Sequence, residues 1–339
     1  MSRRQWVFDA LNNKPVERVP ASFWFHFVPD EKDQNALVNP EIFRLNLEGH
    51  KRYFAEALPD FVKLMSDGFF HYPDPLLREA RNATELRALR PVGGKHPWIE
   101  RQVELVKALT DEIGAEVPTF YNIFAPATFF KFQFDRDGDR QLADLIVADS
   151  EAVKHALDVI AEDVAILVER VISEGGTDGI YLSVQNILDP RITPDLYKAI
   201  VAPSERKVLD HANRVSDNNI LHICGYERAK NDLSLYLDYK SKAVNWAVNS
   251  ENLSLAAGKK LFGGRAVIGG FDNNRDGLLY SGTREEVEQL TEEILREAGT
   301  TGVLLGADCT LPLDVDRNRI NWVKEKAAIL FEPSKERTI

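Results

Sequence analysis

The chain has two cysteines and two methionines among 339 residues. So few cysteines exclude a disulfide-stapled fold and make a reducing, cytoplasmic setting the expectation. No apolar run approaches the ~20 residues of a membrane-spanning helix. The opening Met1-Ser2-Arg3-Arg4 carries the paired arginines of an export signal, but Asp9-Ala10-Leu11-Asn12-Asn13-Lys14 stands where that signal needs a long apolar stretch. An amphipathic first helix, with Trp6, Val7, Ala10 and Leu11 on one face, is expected instead, and no targeting peptide. Basic runs are also missing: 42 Lys and Arg are scattered among 53 Asp and Glu, for a net charge of −11. That balance argues against nucleic-acid and anionic-membrane partners. There is no internal repeat or low-complexity tract, no Gly-x-Gly-x-x-Gly after the first strand, and no phosphate loop.

What is present is an alternation. Apolar runs of strand length cover 19–27, 61–68, 117–124, 178–185, 218–225, 243–248, 266–273 and 302–308. Most are apolar on both faces, as parallel strands covered on two sides are. Helical patterns lie between them. The longest, 150–174, places Val153, Leu157, Ile160, Val164, Leu167 and Val171 at three- and four-residue spacing. Thr283-Arg284-Glu285-Glu286 reads as a capping box, in which hydroxyl and carboxylate satisfy orphan amides. Residues 129–140, ending in Asp135-Arg136-Asp137-Gly138-Asp139-Arg140, read as a surface loop that only superficially resembles a calcium loop. Eight strand–helix units predict an α/β (β/α)₈ TIM barrel with an N-terminal helical extension, spanning 1–339 as one domain. A doubly wound open sheet is the alternative.

Both cysteines fall where a buried strand yields to a loop: His222-Ile223-Cys224, and Cys309 in Gly306-Ala307-Asp308-Cys309-Thr310-Leu311-Pro312. Residues at i and i+2 of a strand share a face. His222 and Cys224 would therefore both point inward, and Cys309 would follow the last strand at the same barrel end, where active sites of this fold gather. Taken alone, His-x-Cys also fits a core histidine beside a buried cysteine packing as a small hydrophobe. Two thiolates and an imidazole would leave a tetrahedral zinc one open position, as catalytic sites do.

These motifs carry a resemblance. His-Ile-Cys-Gly at 222–225 followed by Gly-Ala-Asp-Cys at 306–309 resembles the zinc signature of the uroporphyrinogen decarboxylase-like superfamily, in its methyltransferase branch. That branch moves methyl groups between corrinoid and thiol. Cobalamin-independent methionine synthase has a similar pair of motifs on the same fold. Arg18-Val19-Pro20, Met65-Ser66-Asp67, Ala125-Pro126-Ala127-Thr128-Phe129 and Gly269-Gly270-Phe271-Asp272 look like family landmarks in order. The resemblance implies Zn²⁺ on His222, Cys224 and Cys309, and an acidic substrate contact at Asp67. Two departures stand out. The Arg-Gln-Ala-Gly-Arg-Tyr segment of the true decarboxylases is replaced by Phe23-Trp24-Phe25-His26-Phe27, which argues against porphyrinogen decarboxylation. Relatives often place an acidic ligand after the sixth strand, where this chain has Asn245-Trp246-Ala247-Val248-Asn249. Asn245 would be a weak fourth ligand, and Glu251 or water are the alternatives.

Chemically, two cysteine thiolates neutralise Zn²⁺, so a third thiolate from substrate makes the centre net negative and keeps electron density on sulfur. A His₃ site retains its charge and suits water activation better. The expectation is a methyltransferase that activates a small-molecule thiol. No Asp-x-His-x-x-Gly corrinoid signature occurs here, so a corrinoid would come in trans on a partner protein. Other polar groups at the same end are candidates. His26 would orient substrate or shuttle a proton, or else pack as a rim histidine. Asp67, followed by Gly68, also fits a turn former. Tyr121, Gln185 and Asp272 are the candidate substrate contacts, with Asn122 and Asn186 nearby, and Asp308 would bond loop amides that fix the thiolate. A metal-free lyase using Asp67 and His26, a non-catalytic zinc- or corrinoid-binding protein, and a cysteine-nucleophile hydrolase are the competing classes. An acidic barrel of this size is often a monomer or homodimer.

Overall fold

The computed structural model describes residues 2–330. Seven parallel strands form one curled sheet in sequential order: β1 (Val62–Leu64), β2 (Thr119–Phe124), β3 (Gly179–Val184), β4 (Ile220–Ile223), β5 (Ala243–Trp246), β6 (Ala266–Phe271) and β7 (Val303–Ala307). Every strand is buried along its whole length. That is why the sequence reads as continuous apolar runs without polar alternation. Helices cover the outer face. The longest, Ser150–Ser173, is capped by Asp149 and buries Val153, Leu157, Ile160, Val164, Leu167 and Val171. Thr283 and Glu286 form a reciprocal capping box on the helix Arg284–Ala298.

The first of the eight expected strands, 19–27, is not one. It makes two isolated bridges, Ala21 to Leu305 and Phe25 to Leu311. Three of its backbone amides go to side chains instead of a ladder. Ala21 N donates to Asp60 Oδ2 at 2.8 Å, Phe23 N to the Tyr53 hydroxyl at 3.2 Å, and Phe27 N to Asp67 Oδ2 at 2.7 Å. Pro20 has no amide to offer. The segment still lies between β7 and β1, since Ser22 N donates to Leu305 O and Asp60 N donates to Ala21 O. The sheet is thus barrel-like, with a seam of irregular chain where eight regular strands were expected.

The helix Arg3–Leu11 buries Val7, Ala10 and Leu11 against Phe61, Phe120, Ile220, Ala243 and Leu304, which fill the interior at the N-terminal ends of the strands. The expected loop 129–140 is helical: Pro126–Lys131, a 3-10 turn Phe132–Asp137, then Gly138–Ala148. Phe129, Phe130, Leu142 and Ile146 are buried, and that packing overrides the turn-forming composition.

Candidate metal centre

The strand ends opposite that plug open into a cavity of about 400 Å³. His222, on β4, and Cys224, just beyond it, share the inward face, and Cys309 follows β7 in a bend. All three line the cavity. Cys224 Sγ and Cys309 Sγ are 3.8 Å apart, and Cys309 Sγ is 3.8 Å from His222 Nε2. The three donor atoms lie within 4.8 Å of one another. Ligands ~2.0–2.3 Å from one tetrahedral zinc stand roughly 3.5–3.8 Å apart, so the two separations at Cys309 suit such an ion.

The neighbours fix the donors. Asn245, on β5 beside His222 in register, donates its Nδ2 to Ile268 O at 2.9 Å and Ala307 O at 3.3 Å. Its Oδ1 therefore faces His222 Nδ1, at 2.5 Å, and accepts a hydrogen bond from the Nδ1–H. That selects the tautomer with an unprotonated Nε2 aimed at the sulfurs. Burial, and then the Lys63 charge, push the His222 pKa below its ordinary value and favour the neutral imidazole that binds metals. Gly225 follows Cys224 because a Cβ there would sit 2.2 Å from Ala247 Cβ. Asp308 Oδ2 accepts from Asn249 N at 2.8 Å and Asn249 Nδ2 at 3.0 Å, which anchors the Cys309 bend; burial pushes its pKa up to about 7.

The two candidates for a fourth ligand are placed elsewhere. Asn245 has both ends of its amide engaged, as partner to His222 and to two carbonyls. Glu251 accepts from Asn231 N at 2.7 Å, and Asn231 in turn donates to Cys224 O at 3.0 Å. Glu251 thus clamps the loop after Cys224. Among the described residues, only His222, Cys224 and Cys309 form such a donor group.

His26 lines the cavity near the irregular seam. Its Nδ1 donates to Asp67 Oδ1 at 2.7 Å, and its Nε2 is 3.4 Å from Thr310 Oγ1. Burial pulls the His26 pKa down, but the Asp67 carboxylate outweighs it, with smaller help from Glu31 and Cys309, and the net shift is upward. Asp67 itself is fully buried behind His26, where Oδ2 also accepts from Phe27 N and Val28 N. It positions His26 and does not reach the cavity as the expected substrate contact. Gly68 follows with φ +88, a conformation that favours glycine.

The remaining expected contacts divide. Gln185 lines the cavity, with Oε1 accepting from Lys131 Nζ at 2.8 Å. Tyr121 points the other way: Asn122 and Phe124 take the inward face of β2, and the Tyr121 hydroxyl donates to Gln102 in the helix layer at 2.9 Å. Asp272 is a turn former, accepting from Asn274 N at 2.8 Å, and its neighbour Asn273 faces the cavity instead. Sequence reasoning missed Lys63. It is a charge inside the apolar run Phe61-Val62-Lys63-Leu64-Met65, at the parity that points inward, and that lone charge was the available signal.

The barrel-like α/β fold thus gathers His222 and Cys309, both buried, and half-buried Cys224 at its strand ends. The uroporphyrinogen decarboxylase (URO-D) family profile matches residues 70–328, and the chain belongs to that family. The sequence matches no curated protein. Among solved structures it is similar to a methyltransferase from Methanosarcina mazei, at 16% identity over 98% of this chain and 99% of that one, with a TM-score of 0.67. It is also similar to a GH5_18 protein from Streptomyces cattleya, at 11% identity over 94% and 82% of the two chains, TM-score 0.51. A B12-independent methionine synthase from Shewanella sp. W3-18-1 matches at 14% identity over 67% and 66%, TM-score 0.43. At these identities the likeness is one of fold. No described helix is long and apolar enough to cross a membrane.

Proposed function

We propose that the protein is a zinc-dependent methyltransferase whose substrate is a small thiol, with a corrinoid on a partner protein as the other methyl carrier. The observation that carries this reading is the His222 Nε2, Cys224 Sγ, Cys309 Sγ group, open on one side to a small-molecule cavity. Zinc held there would bind the substrate thiol as thiolate, with two cysteine sulfurs keeping it electron-rich. Asn245 holds the imidazole as a ligand, and Asp308 and the Glu251–Asn231 clamp hold the two cysteine loops. Phe70, Phe124 and Phe132 give the cavity an apolar wall that excludes water from the transfer. His26, its pKa raised by Asp67, is the group that can take up or return the thiol proton.

Among the described residues no arginine lines the cavity, which disfavours a substrate with several carboxylates. The His26–Asp67 pair favours one second reading, a metal-free lyase with His26 as general acid. One experiment separates the two. Zinc-loaded protein is mixed with methylcobalamin and a panel of small thiols, and loss of the methyl–cobalt absorption is followed. Thiol-dependent demethylation that stops on zinc removal and returns on readdition supports methyl transfer. Equal turnover with and without zinc rules it out.

A further inference from the structure

The wall of the cavity formed by β1 to β3 carries a charge that no described residue answers with a hydrogen bond. Lys63 is 3% exposed, and its ammonium faces the cavity. Among the described residues it has no hydrogen-bond acceptor. Its ammonium stands over the faces of Tyr181, 4.4 Å from Nζ to the ring centre, and Trp24, at 5.2 Å. Ring faces attract a cation but do not replace the hydration it has lost.

The charges around it are committed elsewhere. Asp67 holds His26 and two backbone amides. Neither cysteine sulfur is hydrogen-bonded to Lys63, and a metal on His222, Cys224 and Cys309 would take up their charge. Asp139 pairs with Lys131 at 2.8 Å. Two further groups, on β3 and just past it, offer unused donors to the same cavity. The Ser183 hydroxyl has no partner among the described residues, and Gln185, whose Oε1 is taken by Lys131, has a free amide nitrogen. Ser183 is also in register with His222, so this wall adjoins the metal centre.

We propose that Lys63, with Ser183 and Gln185, is the subsite for an anionic oxygen group on the substrate, a carboxylate or its like, and that it selects acidic ligands over neutral ones. The proposal rests on the cavity being the substrate site. It does not require the methyl-transfer chemistry. An oxyanion opposite Lys63 would give the ammonium the acceptor it lacks, and the Ser183 and Gln185 donors would fix its orientation.

The test uses the zinc-loaded full chain and three probes in calorimetric titrations: 3-mercaptopropionate, 2-mercaptoethanol and thiol-free propionate. A charge-assisted hydrogen bond should favour 3-mercaptopropionate over 2-mercaptoethanol by about tenfold or more in the wild type. Lys63→Met should bring that ratio near one with zinc content unchanged, and Lys63→Arg should keep a preference for the acid. Propionate binding that needs Lys63 supports the subsite even if no thiol is ever methylated. Equal affinity for acid and alcohol in the wild type overturns it, and so does an acid preference that survives in Lys63→Met. If Lys63→Met does not fold, loss of the propionate and acid preference in the double variant Ser183→Ala, Gln185→Leu supports the subsite. An undiminished preference there contradicts it.

Discussion

His222 Nδ1 donates to Asn245 Oδ1 at 2.5 Å, and Asn245 is held for that purpose by two backbone carbonyls. The amide occupies the place where the resemblance puts an acidic ligand in relatives, and here it holds the histidine. Asn245→Ala should weaken zinc binding roughly 10–100-fold, as losses of such partners do. Competition with a chromophoric chelator measures it. Asn245→Asp, which keeps an acceptor for Nδ1, should bind zinc at least as well as Asn245→Ala. Wild-type affinity in Asn245→Ala would show that the pair is only packing.

Asp67→Asn tests the second pair. Burial alone would lower the His26 pKa, and Asp67 is the main reason it is raised. A raised histidine contributes stability below its ordinary pKa of 6.5 and loses it as pH rises through the folded value. The substitution should therefore move the His26 ring titration, followed by NMR, to lower pH. Stability lost by the variant should be greatest in acid and shrink toward alkaline pH. Any activity that needs protonated His26 should lose its alkaline limb earlier.

Lys63 predicts a conflict between stability and binding. Burial lowers its pKa from 10.5 to about 8. The folded state thus bears a penalty that is full below pH 8 and is relieved between pH 8 and 10.5. Lys63→Met should gain on the order of 1–3 kcal/mol near neutral pH. That gain should diminish above pH 10, as read from urea denaturation at both pH values. A loss of stability at pH 7 would show that the ammonium is better solvated than its surroundings indicate.

Tyr121→Phe addresses an orientation. Its hydroxyl bonds Gln102 away from the cavity. Removing it should cost about 1 kcal/mol of stability and leave ligand affinity unchanged. An altered affinity would place Tyr121 at the substrate.

Much of this was legible in the chain because the strands are buried on both faces, and their ends gathered His222, Cys224 and Cys309 as strand parity and barrel order required. The irregular segment 19–27 was not legible. Several of its amides are taken by Asp60, Tyr53 and Asp67, side chains 30 to 40 residues away in sequence. Tyr121 differs for a local reason: its neighbours Phe120 and Asn122 take the inward face of β2, which turns it toward the helix layer. For Asp67 and Asn245 the sequence marks a polar group at a strand end but not that each bonds a histidine. Lys63 was overlooked within an apolar run.

The most direct measurement is zinc-edge X-ray absorption on the purified chain, with metal content by mass spectrometry, for wild type and Cys309→Ser. The expected result is close to one zinc per wild-type chain, with two sulfurs at ~2.3 Å and one nitrogen at ~2.0 Å, a further sulfur on adding a thiol, and much weaker zinc retention in Cys309→Ser. A wild-type chain that takes up no zinc, or a Cys309→Ser chain that holds it unchanged, would contradict it.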